Sequence, residues 1–173
     1  FDALSSRRSG YRLLNASEPV VFTLGWWRPR VYVSQGLLAD CSKSELAVIL
    51  THEQAHRQRR DNLRLLLGHI FNLVLPRAWR RAAVHDLHLL CEQSCDFVAA
   101  KRYGAVAVAE TLVQVGRVLR RSATPRQGLP FDGSDLQLRV HALLGADSRH
   151  WLGGWQLVSL AVAACLAVLL AVE

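Results

Sequence analysis

Ser42-Lys43-Ser44-Glu45-Leu46-Ala47-Val48-Ile49-Leu50-Thr51-His52-Glu53-Gln54-Ala55-His56 is the stretch on which the reading of this chain turns. Ser42 followed by Glu45 has the spacing of a capping box. In it the serine hydroxyl accepts from the glutamate N–H and the glutamate side chain returns to the serine N–H. Leu46, Ile49 and Leu50 then recur at the spacing of one helix face. His52 and His56 stand one turn apart on that helix, where two imidazoles can meet a single ion at about 2.0–2.1 Å. Glu53 follows the first histidine directly, so its carboxylate can reach a water on that ion without ligating it. Metal-assisted hydrolysis asks this of a general base. The HExxH pattern therefore predicts one zinc ion, with His52 and His56 as ligands and Glu53 as the catalytic base.

A catalytic zinc needs a third protein ligand and an open position. Glu92-Gln93-Ser94-Cys95-Asp96 supplies candidates on a second long helix predicted over 78–103 and ended by Gly104. Glu92 can ligate, and Asp96, one turn on, can accept a hydrogen bond from a ligand imidazole and fix its tautomer. His88 shares that face, as does His85, so a three-histidine site is the rival. Arg139 and His141 are candidates for stabilising an oxyanion or touching substrate, on charge and chain position alone.

Upstream, Val20–Leu24 and Val31–Ser34 are β-prone runs around Gly25-Trp26-Trp27-Arg28-Pro29 and predict a small hairpin. The Val31–Ser34 strand is expected to pair with an extended substrate by strand addition. Residues 1–19 are polar and patternless and are expected to be a lead-in. Leu63–Leu75 is a short apolar stretch closed by Pro76, expected to pack on the domain or lie at a membrane interface. A helix over 105–121, a loop over 122–133 and a short amphipathic helix over 135–144 complete a domain expected at 20–150.

From Leu152 to Val172 the chain carries no charge. These 21 residues would span roughly 31 Å as a helix, against a bilayer core of about 30 Å. Trp151 and Trp155 fall where interfacial aromatics lie. A transmembrane helix is expected over 151–173. Every one of the 21 Lys and Arg residues precedes it, so the positive-inside rule places the domain on the cytoplasmic side of the cell (inner) membrane. With no Met, the chain is expected to be a piece of a longer protein. The net charge of +7 is carried almost wholly by Arg; no nucleic-acid motif accompanies it, and anionic lipid headgroups account for it better. Cys41, Cys91, Cys95 and Cys165 form no disulfide framework and are expected as free packing thiols.

From Arg28-Pro29-Arg30-Val31-Tyr32-Val33-Ser34, through Gly36-Leu37-Leu38, the Ser44-Glu45-Leu46 lead-in and His52–His56 to Asp61 and Glu92–Asp96, the chain resembles the BlaR/MecR-type membrane metallopeptidases. Arg139-Val140-His141-Ala142-Leu143-Leu144 continues the likeness weakly. The resemblance implies a mainly α fold with a small sheet (α+β, gluzincin-like), Glu92 as third ligand, Asp96 behind the ligands, and membrane helices preceding residue 1. It also implies a protein or peptide substrate. CAAX-processing and HtpX-like membrane peptidases share HExxH followed by ExxxD and are the second resemblance. A non-catalytic metal-binding regulatory module is the competing function; the intact Glu53 argues against it, since ligation alone does not require that residue. A basic surface binder with an accidental HExxH is a third.

Overall fold

A computed structural model describes residues 5–8, 10–122 and 133–145. Strands β1 (Ser5–Arg8), β2 (Tyr11–Leu14), β3 (Val21–Leu24) and β4 (Arg30–Ser34) are followed by helices α1 (Gln35–Asp40), α2 (Lys43–Arg59), α3 (Asp61–Asn72), α4 (Arg77–Tyr103), α5 (Ala105–Ser122) and α6 (Gly133–Leu143). This is the expected α+β class, dominated by helices. The segment 151–173 and the loop between α5 and α6 lie outside the described residues. Among the described residues no helix is long and apolar enough to cross a membrane.

The four strands form one sheet in the order β1-β2-β4-β3. The expected hairpin is present as the antiparallel β3–β4 pair, with Phe22 opposite Tyr32. Their rings stack at 5.4 Å. Two expectations are corrected. Residues 1–19 are not a patternless lead-in, because β2 pairs with β4 in parallel and β1 pairs antiparallel to β2. A four-residue strand is too short to show a period, and its register comes from the distant β4 ladder. Nor can β4 accept a substrate strand, because both of its edges are taken; the edge left beside it is that of β3.

Ser34 ends β4 and caps α1. Its buried hydroxyl accepts from Leu37 N–H at 3.1 Å and from Val20 N–H at 2.9 Å. Gly36 packs directly on the chain at Ser17, and a Cβ here would overlap the Ser17 carbonyl. The α2 capping box forms as the sequence predicts, with Glu45 N–H to Ser42 Oγ at 3.2 Å and Ser42 N–H to Glu45 Oε2 at 2.8 Å.

Helix α2 lies between two apolar clusters. Ile49 joins Val31, Val33, Leu37 and Val115 under the sheet. Its neighbour Val48 joins Ala99, Val108, Ala109 and Leu143 among α4, α5 and α6. Burial on both flanks leaves the face carrying His52 and His56 turned toward α4 and the β3 edge. The helix ends at Arg60, which adopts the left-handed conformation (φ 54°, ψ 44°) and also opens α3. That conformation costs a non-glycine residue about 1–2 kcal/mol. The reversal it makes returns Asp61 to the flank of His56.

Candidate active site

The geometry begins with α2 and α4 lying against each other. His52 Nε2 is 3.1 Å from His56 Nε2, and the Glu92 carboxylate reaches both, at 3.4 Å to each Nε2. Four ligands at about 2.0–2.1 Å around a tetrahedral zinc are separated by about 3.3–3.4 Å. The two nitrogens and the Glu92 carboxylate, which sets Oε2 toward His52 and Oε1 toward His56, are therefore spaced to occupy three corners of such a site. His88 is not brought here; it is exposed, and its ring faces His69. His85 turns to Asp135, at 2.9 Å.

The other ring nitrogens bear on what this cluster could hold. His56 Nδ1 lies 3.0 Å from Asp61 Oδ2. His52 Nδ1 lies 3.0 Å from Asp96 Oδ1, an ion-pair distance, although the N–H is not aimed well enough to make a hydrogen bond. Carboxylates only accept, so each Nδ1 carries a proton, and in the neutral imidazole each Nε2 presents a lone pair. In that form two lone pairs and a carboxylate converge, an arrangement that a proton or a metal ion relieves. Burial disfavours charge on both imidazoles. The surrounding carboxylates outweigh it, Asp96 and Glu92 at His52 and Asp61 and Glu92 at His56, and raise both pKa values above the ordinary histidine value. Burial likewise opposes the Glu92 charge, but His52, His56 and Arg139 hold its pKa well below the usual carboxylate range.

Glu53 is buried on the same helix, and Thr23 of β3 holds it, the hydroxyl donating to Glu53 Oε2 at 2.7 Å. His52, His56, Glu92 and Glu53 thus open into one cleft of about 410 Å³, bordered by Val21, Phe22, Leu65, Leu112 and Val115.

Arg139, expected as an oxyanion or substrate contact, borders the cleft and is turned to two carboxylates. It is buried, donates to Asp96 through Nε and Nη2 at 2.7 Å each, and sets Nη1 3.0 Å from Glu92. All three nitrogens are engaged by carboxylates, so its work is to hold those two side chains. His141 is exposed on α6 and is not among the described residues lining the cleft. Asp96 sits where expected. Burial opposes its charge, and Arg139 and His52 lower its pKa nonetheless.

The sequence reading missed Thr23 and the role of Asp61. Asp61 is 1% exposed, receives Arg59 Nε at 3.2 Å and the Cys95 thiol at 3.4 Å, and faces His56. His56, Asp61 and Cys95 also lie close enough to hold a metal. Burial pushes the Cys95 thiol up to about 11, so it stays protonated and donates to Asp61. The trio is the support of His56.

A family model described as Peptidase family M48 matches residues 9–124, more than half of the chain. The chain belongs to peptidase family M48. The match starts at β2 and takes in both active-site helices, so the M48 domain includes residues first expected to be a lead-in. It agrees with the metallopeptidase resemblance and with the His52, His56 and Glu92 cluster. No curated protein and no solved structure matches the chain.

For this M48 domain, Asp61→Asn is expected to weaken zinc binding by about 10–100-fold, the usual effect of losing a carboxylate behind a ligand histidine. Competition with a chromogenic chelator measures it; unchanged affinity would mean that Asp61 does not orient His56.

Proposed function

We propose that this M48 domain is a zinc-dependent endopeptidase held at the cell (inner) membrane, cutting a cytoplasmic or membrane-proximal protein. The observation that carries the proposal is the convergence of His52 Nε2, His56 Nε2 and the Glu92 carboxylate at tetrahedral spacing, with Glu53 opening into the same cleft. The donor set, two imidazoles and one carboxylate, suits zinc with one position left open.

When bound, zinc supplies Lewis-acid activation of water and of the scissile carbonyl. The chain's residues do the rest. Glu53 accepts the proton of the attacking water, and the Thr23 hydroxyl holds the carboxylate against the β3 edge. Asp61 and Asp96 keep the ligand histidines presenting Nε2. Arg139 keeps Asp96 and Glu92 ionised. The outer edge of β3, where Asn62 Nδ2 already donates to the Thr23 carbonyl at 2.9 Å, offers its remaining main-chain groups to an extended peptide, and the apolar wall of the cleft receives its side chains. The uncharged run Leu152–Val172 supports membrane anchoring, and the Arg-rich sequence before it supports a cytoplasmic orientation.

Treatment of the full chain in vesicles with 1,10-phenanthroline is expected to abolish cleavage of an unfolded test protein, and stoichiometric zinc to restore it. Cleavage that persists in a protein shown to be free of metal would overturn the proposal.

A further inference from the structure

From Asn62 to His85 the sequence has no acidic residue and contains Arg64, Arg77, Arg80 and Arg81. This stretch is α3, the turn after it and the first turns of α4. The hairpin closes tightly on its inner side, where Gly68 lies against Leu87. Its outer side and tip are apolar: Ile70, Phe71, Leu73, Val74 and Trp79 are each more than half exposed. Isolated exposed apolar residues are ordinary, but a contiguous group at one projecting turn marks a contact surface.

The backbone of that tip is prepared for a medium poor in hydrogen bonds. The carbonyls of Ile70, Phe71 and Asn72 accept from Leu73, Val74 and Leu75, and Pro76 accepts from Trp79. Arg80 folds back to donate to the Leu73 and Leu75 carbonyls at 2.7 and 2.9 Å. Satisfied backbone groups are what allow a turn to leave water. Arg77 and Arg81 are exposed beside it, with their charges outward.

We infer that the tip of the α3–α4 hairpin docks on an anionic lipid bilayer, with Ile70, Phe71, Leu73, Val74 and Trp79 entering the interface and Arg77 and Arg81 meeting the headgroup phosphates. The inference rests on the membrane-anchored reading above and adds a second attachment to it. Only residues 146–151 separate the described end of α6 from the uncharged run, a tether of at most about 25 Å. Leu143 packs with Ala99, near the far end of α4 from the tip. Trp79 and Ala99 are about 30 Å apart at 1.5 Å per residue, slightly more than the tether can reach, so engaging both attachments keeps α4 from standing upright on the bilayer. An amphipathic element with arginines beside aromatic and aliphatic side chains is the kind that lies in such an interface.

The test uses the full chain with Trp26, Trp27, Trp151 and Trp155 replaced by Phe, leaving Trp79 as the sole tryptophan. Flotation with vesicles of phosphatidylcholine and phosphatidylglycerol first establishes anchoring. In the floated protein, lipids brominated on the acyl chain are expected to quench most of the Trp79 fluorescence, and aqueous acrylamide little of it. Adding Arg77→Gln and Arg81→Gln should reduce the docked population ratio by roughly twenty-fivefold, at about a factor of five per charge. In the unmodified chain, amides of residues 70–79 should exchange more slowly in anionic vesicles than in neutral ones, which checks the result without substitutions. Flotation with Trp79 open to acrylamide overturns docking and leaves anchoring intact. Protection from both quenchers means that protein covers the tip, either a second copy or another segment of this chain, and also overturns it. Absence of flotation removes anchoring and docking together.

Discussion

Glu53→Gln is expected to lower the rate of peptide cleavage by about 10²–10⁴-fold while leaving bound zinc unchanged. The substitution keeps the shape of the side chain, and the amide oxygen can still accept from the Thr23 hydroxyl that now donates to Glu53 at 2.7 Å. It removes a carboxylate that lines the cleft beside the three candidate ligands without being one of them. Zinc content and the unfolding midpoint should match those of the parent protein, so the loss reads on chemistry. Undiminished cleavage in a zinc-loaded variant would move the base elsewhere. If neither protein cleaves any substrate, and removing zinc alters the binding of a partner, the regulatory-module reading takes its place.

Arg139→Met is expected to destabilise the domain by about 3–5 kcal/mol, the usual consequence of removing one partner from a buried ion pair. Arg139 is 5% exposed and Asp96 1%. Their paired hydrogen bonds are both 2.7 Å, and Glu92 shares the same guanidinium. Without it the buried Asp96 faces the low-dielectric interior with only His52 to answer it, and the partly exposed Glu92 loses its cation. Arg139→Lys should recover part of the loss, since it restores the charge but not the planar fork. Denaturant unfolding of the metal-free protein in detergent measures both. An unchanged midpoint for Arg139→Met would show that the cluster does not depend on the clamp.

The site was legible in the sequence wherever its logic is local. The capping box, the helix and the one-turn spacing of His52 and His56 are encoded within a few turns, and the structure reproduces them. Glu92 was legible only through its partnership with that motif, since a lone acidic residue on an Arg-rich helix is ordinarily a solvated one. Asp61 was hidden for a related reason. It follows Arg57, Arg59 and Arg60 and looks like a counter-charge to them; the left-handed turn at Arg60 carries it to His56, and nothing in the residue type announces that conformation. Arg139 was legible only as a charge that could meet an oxyanion or substrate; its carboxylate partner Asp96 is 43 residues away and comes into reach only when α6 packs on α4. The parallel pairing of β2 with β4 is invisible for the same reason, because neither strand is long enough to declare its neighbour. Local spacing therefore pointed to His52, His56 and Glu53, their partnership and the resemblance pointed to Glu92 and Asp96, and tertiary packing brought Thr23, Asp61 and Arg139 to them.

The most direct measurement of the central claim is metal content by plasma mass spectrometry of the purified full chain and two variants. One zinc per chain is predicted for the parent and for His88→Ala, whose ring lies against His69, outside the cluster. Loss of zinc is predicted for Glu92→Ala, which removes the carboxylate 3.4 Å from both histidine nitrogens. Zinc retained by Glu92→Ala and lost from His88→Ala would contradict the account.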